Sequence, residues 1–567
     1  MVISSHFREE LADVAKLQDR PCDLYNRRRA RARRTWKAGK VLNFPKANFT
    51  TRIKIMKDNP PRRTGGRAAR RASRAAPLDD AIRPVRPGME CDALKVLSQT
   101  DILKIHNAAL QVLEEIGLAD APQSGIDHMT RAGAIHGTDG RMRFPRALVE
   151  DTVAHANRQI MLYSRDGKRD LELSGNRVHY GTAGAAVNMV DVDGRNYRDS
   201  TLQDLHDAAR ITDRLDNIHF LQRPMVPRDI TDSREMDLNT LYACTAGTTK
   251  HVGVSFSDPS HVADAFEMLH LIAGGEAEWR ARPFVSNSNC FVVPPMKFAT
   301  EACQTMELCI EGGMPVLLLS AGMAGATTPS TIAGAIVQSV AECLAGLVYV
   351  NAVRPGAPAI FGTWPFGLDL RSGAMTGGSG EQALLSAGCA QMHKFYGLPG
   401  GAVGGITDAK LPDMQAGWES MCSNVMAGLS GLNMVYEAAG MHASLLGFCH
   451  ESLILGDDLI GHALRCVRGI EVDDETLAVE QIREVCLQGP GHYLGMGQTL
   501  ARMQRDYVYP STGERMSPKE WVEKDKPDLN QSAIRRKEAI LSEPSLARFD
   551  PLTDRAIRDR FKIHLAG

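Results

Sequence analysis

Short apolar segments alternate with helical segments eight times between residues 178 and 470, and this repeat constrains the fold more than any other feature of the chain. Successive apolar segments start 32 to 43 residues apart. They are VHYGTA from Val178, HFLQRPM from His219, HVGVSFS from His251, PFVSNSN from Pro283, PVLLLSA from Pro315, PAIFGTW from Pro358, GGAVGGI from Gly400 and NMVYEAA from Asn433. The longer segments between them have apolar residues at helical spacing, and several begin at Ser, Thr, Asp or Pro and end on glycine, as helices do.

Eight strand–helix units predict an α/β protein, a (β/α)8 TIM barrel. A doubly wound open sheet is the competing arrangement, but it usually repeats fewer units, so the count favours the barrel. In such a barrel the reacting residues lie at the C-terminal ends of the strands. The ends of the eight segments are therefore the positions at which to search for a site.

The chain on either side of the repeat differs in character. Residues 1–90 carry 23 Lys and Arg against 9 Asp and Glu and include NRRRARARR, which predicts a disordered, solubilising leader. A nucleic-acid-binding arm is the less favoured alternative, and translation from Met56 would make the preceding residues an artefact. Residues 91–176 predict a helical preface, residues 177–470 the catalytic barrel, and residues 471–567 C-terminal helices and a tail.

Composition narrows the class of protein further. Of the 567 residues, 43% are hydrophobic and 23% are charged, which is usual for a water-soluble globular protein. We see no run near the ~20 apolar residues of a membrane span, and the first residues lack the apolar core of a secretory signal. The twelve cysteines are scattered singly without a C-x-x-C pair, which predicts reduced thiols in the cytoplasm.

The strand ends carry aromatic, amide and charged side chains rather than a catalytic triad. No histidine precedes a nucleophilic serine, and no HExxH or close His/Asp cluster predicts a metal. A single cysteine at a strand end, Cys290, is more simply explained by packing. The substrate-binding candidates are Tyr180, Thr182, Arg223, Phe256, Asn287, Asn289, Thr363, Trp364, Phe366, Tyr436 and Glu437.

Two groups among the strand-end residues suggest particular chemistry. Trp364, one of five tryptophans, could frame a cation cage with the other aromatic candidates, because a quaternary ammonium over an aromatic face gains ~0.5–2 kcal/mol. Packing at the rim is the alternative explanation. Asp408 and Lys410 follow the glycine-rich seventh strand and could serve as a base and an anion-binding group, although a helix cap would also use such residues.

Four longer motifs are spread along the chain: MAGATTPSTIAGAIVQSVAECLAG (323–346), GSGEQALLSAGCAQMHKFYGLP (378–399), TDAKLPDMQAG (407–417) and DETLAVEQI (474–482). In their order they resemble the trimethylamine:corrinoid methyltransferase family, over about residues 95–510. In the founding members of that family the residue before the [S/T]-D-A-K segment is pyrrolysine, whereas this chain has Ile406. The chain therefore resembles the non-pyrrolysine branch, whose members demethylate glycine betaine and similar quaternary amines.

The resemblance implies an SN2 transfer of a methyl group to the Co(I) of a corrinoid carried by a separate partner protein, with no cofactor bound tightly in this chain. A quaternary nitrogen already carries its charge and leaves as a neutral amine, so such an enzyme can dispense with pyrrolysine. Strand position and residue chemistry then suggest the roles. The ammonium group would be caged by Trp364, Phe366, Tyr180 and Tyr436. A carboxylate or other polar end of the substrate would be held by Arg223, Lys410, Asn287 and Asn289. Compensating negative charge would come from Asp408, Glu381 and Glu437. The catalytic candidates are Asp408, Lys410 and Glu381.

One departure from the family bears on the substrate. After the eighth strand the family commonly reads Tyr-Gly-Ala-Gly-Met, whereas this chain reads YEAAGM and inserts Glu437. An anion there would favour a cationic substrate and disfavour a carboxylate-bearing one. Two other functions stay open: a zinc-thiolate methyltransferase with a different acceptor, and a non-catalytic sensor of methylated amines. Large barrels of this kind often associate, so a homo-oligomer is compatible with the sequence.

Overall fold

The computed structural model describes residues 83–193, 195–487, 489 and 491–566. Most of the predicted basic leader, including Met56, lies outside the described residues. The described residues belong to the second of the two units into which the chain divides, Pro77–Gly567.

All eight predicted apolar segments contain a strand, and each following segment contains a helix. The strands are β1 Arg177–Tyr180, β2 Leu221–Gln222, β3 Val252–Val254, β4 Val285–Asn289, β5 Val316–Ser320, β6 Ala359–Thr363, β7 Gly400–Val403 and β8 Met434–Tyr436. The helices that follow them are α1 Leu202–Asp213, α2 Ser233–Gly247, α3 Val262–Ala273, α4 Thr300–Glu311, α5 Ile332–Val353, α6 Gly380–Tyr396, α7 Met414–Leu429 and α8 His450–Arg468. The predicted α/β class is therefore confirmed.

The strands form one curled, half-barrel sheet. Its parallel strands lie in the order β1-β8-β7-β6-β5-β4-β3-β2, and Met89–Glu90 adds a ninth, antiparallel strand beside β1. Gly181, just after β1, forms an isolated parallel bridge with Phe220, just before β2. The two outer parallel strands of the sheet thus approach each other, and the sheet includes the last two residues of the stretch predicted as leader.

Helix α5 corrects the expectation that the chain has no apolar run near the length of a membrane span. By length and hydropathy Ile332–Val353 could cross a membrane, although most of it is buried inside the fold. One side of α5 packs on β5 and β6, and other parts pack on the preface helices Gln99–Gln111, Gln123–Arg131 and Arg146–His155. A helix covered by protein on two sides is apolar nearly all round, which explains why this core helix passes a test for membrane spans.

The preface begins as the sequence predicts. Ser98 caps the helix Gln99–Gln111 in a capping box with Asp101, and the helix continues through a π-helical turn, Val112–Ile116, to Gly117. Gly117 has φ +66°, and a Cβ there would lie 2.1 Å from the carbonyl oxygen of Met142. Glycine is required at this helix end. The other preface elements are the paired strands Ile135–His136 with Met142–Arg143 and Ile160–Leu162 with Leu171–Leu173.

Hairpins that the sequence did not predict lie in the loops after β1, β4, β6 and β8. They are Asn188–Val190 with Tyr197–Asp199, Val292–Val293 with Lys297–Phe298, Gly367–Asp369 with Ala374–Thr376, and Met441–His442 with Gly447–Phe448. The first and last join into one four-stranded sheet. All of them follow C-terminal strand ends, where the loops of an α/β sheet build binding sites.

The remaining helices lie around the sheet's helical layer. They are the short Pro259–His261 and Glu276–Ala281, and at the C-terminus Asp474–Leu477, Val479–Leu487, Gly497–Arg505, Pro518–Glu523, Leu529–Ser542 and Pro551–Arg560. Leu529–Ser542 packs on α8 and α1, and Pro551–Arg560 packs on α3.

A buried lysine closes the end of α1. The Lys250 ammonium donates hydrogen bonds to the carbonyl oxygens of Thr212, Leu215 and Ile218, and its side chain is almost completely buried. A cation favours a helix C-terminus because the last carbonyl groups lack helical partners. Lys250 thus ties the end of α1 to the start of β3.

Candidate functional site

A cavity of about 420 Å³ lies at the C-terminal ends of the strands. This volume is within the range of small-molecule sites, roughly 300–1,000 Å³. Residues at or beyond the ends of seven strands contribute to its wall, and among the described residues none from the end of β7 does so. The wall includes Gly184, Gln222, Arg223, Asp237, Ser255, Phe256, Ser257, Ser288, Cys290, Leu319, Trp364, Phe366, Glu437 and Leu445.

Three aromatic side chains belong to the apolar part of this wall. Phe256 follows β3, and Trp364 and Phe366 follow β6; all three are buried except where they meet the cavity. The Trp364 ring lies 4.9 Å from the Tyr436 ring, centroid to centroid, and Tyr436 lies 5.2 Å from Phe220. Tyr436 therefore supports Trp364 from behind, and it is not among the residues that line the cavity.

The ring stack fits because glycines on neighbouring strands make room for it. A Cβ on Gly401 would lie 2.4 Å from the Tyr436 ring, and a Cβ on Gly181 would lie 2.4 Å from the Phe220 ring. Each ring thus occupies the space that a side chain on the adjacent strand would fill. The position of Trp364 is fixed by this packing.

Arg223 supplies the positive charge of the cavity. Its Nε and Nη2 atoms donate to the Ser255 hydroxyl oxygen at 3.1 and 3.0 Å. Within the described part of the chain it makes no ion pair with a carboxylate. Burial lowers the pKa of Arg223, but the ordinary pKa of an arginine lies so far above neutral pH that the side chain stays a cation. A guanidinium held by a neutral hydroxyl group is suited to bind a carboxylate.

Asp237, on α2, has its charge already engaged. Its Oδ2 accepts hydrogen bonds from the backbone N and hydroxyl of Ser257 at 2.7 and 2.9 Å and from Nδ1 of His261 at 2.8 Å. These bonds hold the loop that follows β3, in which Phe256 lies. Asp237 therefore orders the aromatic wall.

Glu437 supplies a carboxyl group to the cavity, just beyond β8. Its side chain is 1% exposed, and Oε2 has no hydrogen-bond partner among the described residues. Burial raises the pKa of Glu437 to about 8, because an ion loses hydration there. The Trp364 indole nitrogen in the same wall is also buried without a partner in the described structure. Unpaired polar groups of this kind mark a place where a ligand would bond.

The structure brings five of the predicted substrate-binding residues to the cavity: Arg223, Phe256, Trp364, Phe366 and Glu437. Three others have side chains engaged elsewhere. The Tyr180 hydroxyl donates to the carbonyl oxygen of Asn424 on α7 at 2.8 Å. Thr182 Oγ1 donates to the Gln222 carbonyl at 2.6 Å, and Thr363 Oγ1 lies 2.6 Å from Nε2 of His393 on α6.

The two asparagines of β4 illustrate why strand-end position alone is insufficient. Ser288 and Cys290 line the cavity, so the alternation of a strand turns Asn287 away from it. Asn287 is buried, and its amide nitrogen lacks a partner among the described residues. Asn289 pairs through its backbone with Leu318 of β5.

Asp408, a predicted catalytic residue in the segment after β7, bonds to neighbouring loops and does not line the cavity. Asp408 Oδ1 accepts hydrogen bonds from the Gly377 backbone N at 2.8 Å and the Ser444 hydroxyl at 2.6 Å. It thereby joins the loops that follow β6, β7 and β8. Glu419 on α7 holds the same segment by accepting bonds from the Asp408 backbone N and the Thr407 hydroxyl at 2.8 and 2.5 Å.

The other predicted residues of this region also lie off the cavity. Ile406 is buried against Gly377, where a Cβ would lie 2.3 Å from Ile406 Cγ2. Lys410 is exposed, and its Nζ donates to the Asp408 carbonyl at 2.7 Å. Glu381 is exposed in the first turn of α6. Ile406 is not among the residues that line the cavity.

Sequence reasoning missed Asp237, Gln222, Ser257 and Ser288 of the cavity wall. The serines follow or end predicted strands, so the strand-end rule could have found them. Asp237 lies within a helix, and no local pattern marks its contact with the next loop.

Two other features of the structure bear on where a site could lie. A larger cavity of about 950 Å³ lies between α7, α8 and residues 510–530, and only the loops after β7 and β8 among the described strand-end loops contribute to its wall. Across the described residues no group of three or more His, Cys, Asp or Glu side chains could hold a metal ion. Burial raises the pKa of Cys290 to about 11, so its thiol is protonated near neutral pH.

Comparison with known proteins gives a consistent family. The trimethylamine methyltransferase (MTTB) family model matches residues 63–563. Trimethylamine methyltransferase MttB of Desulfitobacterium hafniense is 29% identical over 445 residues, 78% of this chain and 88% of that protein. Glycine betaine methyltransferase of D. hafniense is 29% identical over 463 residues, 81% and 95% of the two chains. Trimethylamine methyltransferase MttB2 of Methanosarcina mazei is 31% identical over 452 residues, which are 78% of this chain and 90% of that protein.

Proposed function

The chain belongs to the trimethylamine methyltransferase family, and from this premise we propose that it transfers a methyl group from a quaternary, betaine-type amine to the cobalt of a corrinoid carried by a partner protein. The eight parallel strands and the bridge between Gly181 and Phe220 support reading the sheet as a (β/α)8 barrel. The observation that carries the proposal is the buried Glu437 carboxyl group, unpartnered at Oε2, beside three aromatic side chains.

The wall of the cavity suits both ends of a betaine. The faces of Phe256, Trp364 and Phe366 would hold the N-methyl groups, and Glu437 would balance the fixed positive charge. Arg223, on the other side of β1, would bind the carboxylate through its free guanidinium donors. The sequence alone led us to expect that Glu437 disfavours a carboxylate-bearing substrate. Arg223 removes this objection, because it offers a positive charge at the end of a different strand from the one that carries Glu437.

The surroundings of the cavity also fit a corrinoid partner. Leu445 lines the cavity, and the adjacent Leu446 is 58% exposed. An exposed apolar side chain thus lies beside the cavity wall, where the flat macrocycle of a corrinoid would pack. A reduced corrinoid supplies a nucleophilic cobalt that accepts the methyl group.

This chain's own residues then have three tasks: to bind the amine, to orient one methyl group outward, and to exclude water. The leaving group is a neutral tertiary amine, so methyl transfer needs no proton donor. The Asp237 carboxylate is engaged by Ser257 and His261 and is not available for proton transfer. Asp408 acts at a distance by fixing the loops around the cavity.

The test is a methyl-transfer assay under anaerobic conditions with free cob(I)alamin, followed by methylcobalamin absorbance. The substrates are glycine betaine, proline betaine, carnitine, choline and trimethylamine. We expect turnover with a quaternary amine and none with trimethylamine. The variant Trp364→Ala should lose most of this activity, whereas Trp418→Ala, the same change at an exposed tryptophan on α7, should keep it.

Two results would contradict the proposal. Turnover of trimethylamine alone would remove the quaternary-amine assignment. Calorimetric binding of a quaternary amine without any methyl transfer, to free cobalamin or to a corrinoid protein, would favour a sensor of methylated amines.

A further inference from the structure

Glu437 has a backbone conformation that glutamate adopts rarely. Its φ is +59°, a left-handed value that costs a residue with a side chain roughly 1–2 kcal/mol. The neighbouring backbone holds it there: Gly404 N donates to the Tyr436 carbonyl at 2.8 Å, and Ala438 N donates to the Gly181 carbonyl at 3.0 Å. A glycine would fit without this strain. The strained conformation of a glutamate whose carboxyl group lines a cavity points to a role for that group.

The charged and titratable groups around Glu437 do not supply it with a partner. Arg223 is hydrogen-bonded to Ser255, and Asp237 to Ser257 and His261. The thiol of Cys290 is neutral near pH 7, since burial raises its pKa to about 11. Burial lowers the pKa of His442, in the hairpin after β8, to about 4, so it too is neutral.

The loop after β1, which approaches Glu437 at Gly184, contributes no ionisable residue between Gly181 and Val190. In the free protein at pH 7, Glu437 is therefore mainly the neutral acid, because burial raises its pKa to about 8. A fixed cation in the cavity would reverse this balance, since an opposite charge within a few ångströms favours the ionised carboxylate.

We propose that Glu437 gives up its proton when a quaternary ammonium enters the cavity, so that binding of the cation releases one proton to the solvent. This inference rests on the proposed function and adds a coupling to it. The O–H bond of the acid breaks, the proton passes to buffer, and the carboxylate pairs with the permanent charge. After methyl transfer the nitrogen is neutral, and the carboxylate takes a proton back from the solvent as the amine leaves.

The coupling makes Glu437 a determinant of specificity. A neutral molecule of the same shape offers nothing to stabilise the carboxylate, so it would bind to the acid form without proton release. A quaternary cation gains a partner only as the proton leaves, and its affinity should therefore rise with pH up to about pH 8.

Isothermal titration calorimetry at pH 7 tests the coupling in phosphate and in Tris, whose ionisation enthalpies differ. The probes are glycine betaine, tetramethylammonium, and 3,3-dimethylbutanoate, in which carbon replaces the nitrogen of glycine betaine. We expect release of roughly 0.9 proton per bound cation, the protonated fraction of an acid with a pKa of about 8. We expect none for 3,3-dimethylbutanoate.

Variants locate the source of the proton. Glu437→Gln should abolish the release and weaken cation binding roughly tenfold or more. Glu301→Gln removes an exposed carboxylate on α4 and should behave as the wild type. Glu437→Gly, which suits the left-handed backbone, serves as a second variant if the glutamine protein folds poorly.

Three outcomes would overturn the inference: cation binding without proton release, equal release by the carbon isostere, or release that persists in Glu437→Gln. Methyl-transfer assays separate this from the proposed function. Proton release without methyl transfer to any corrinoid would refute the enzyme and leave the coupling. Failure of all the probes to bind would overturn both.

Discussion

Replacing Glu437 with glutamine should change how the stability of this fold depends on pH, even with no ligand present. Burial raises the pKa of this carboxyl group to about 8 from an ordinary value of 4.5. The unfolded chain therefore loses the proton near pH 4.5, whereas the folded protein keeps it until about pH 8. Because the folded state binds more protons between these values, its stability falls as pH rises through this window and levels off above it.

The size of the effect follows from the width of the window. Each pH unit within it costs about 1.4 kcal/mol of unfolding free energy, so the whole window amounts to about 5 kcal/mol. Between pH 5.5 and pH 8.5 the contribution of Glu437 should fall by about 3 kcal/mol. That is a large fraction of the roughly 5–15 kcal/mol by which folded domains are stable.

The assay is urea unfolding followed by circular dichroism at pH 5.5, 7.0 and 8.5. Wild type and Glu437→Gln are compared with Glu301→Gln, which controls for the loss of one exposed carboxylate. Glutamine mimics the neutral acid, so its advantage over the wild type should grow as pH rises. Parallel stability curves for the wild type and Glu437→Gln would refute the reasoning, since they would mean that Glu437 titrates alike in the folded and unfolded chains.

Three further changes test other parts of the structure. Arg223→Met should raise KM for glycine betaine about 100-fold, because a charge-assisted pair with the substrate carboxylate is lost. The KM for choline, which has no carboxylate, should change little. Equal effects on both substrates in initial-rate assays would argue against a carboxylate bound at Arg223. Lys250→Met should lower the unfolding free energy by about 3 kcal/mol in urea, because three carbonyl groups lose their donor; an unchanged midpoint would contradict this. Burial lowers the pKa of His251 to about 4 from 6.5. As pH drops from 6.5 towards 4, this histidine therefore takes up its proton in the unfolded chain before it does so in the folded protein. The free energy of unfolding should fall over this range by up to about 3 kcal/mol. His251→Gln should flatten that decline, and an unchanged slope would exclude His251 as its source.

The eight strands could be predicted because each is a short apolar run bounded by glycine, proline or polar residues, the pattern of strands buried on both faces. The hairpins in the loops could not, because strands of two or three residues leave no periodic signal and pair with distant partners. Asn188, for example, pairs with Gly447, 259 residues later in the chain.

The site was predictable in position but only partly in composition. Strand ends gave Arg223, Trp364 and Glu437, yet successive residues of a strand face opposite sides, so the rule also gave Asn287. Asp408 was beyond sequence reasoning for another reason. Its partners Gly377 and Ser444 lie 31 and 36 residues away, and only the folded chain brings them together.

The pairing of rings with glycines behind Trp364 has a consequence for how this protein can change over evolution. A larger residue at Gly401 or Gly181 collides with Tyr436 or Phe220, and a smaller residue in place of either ring leaves a void. Altering the depth of the cavity therefore requires two compatible mutations, and each alone is destabilising. Loop positions that make no such interlocked contact, for example the exposed Leu446 after β8, can vary one residue at a time. New substrate preferences should thus arise by drift in the loops, with the ring stack inherited unchanged.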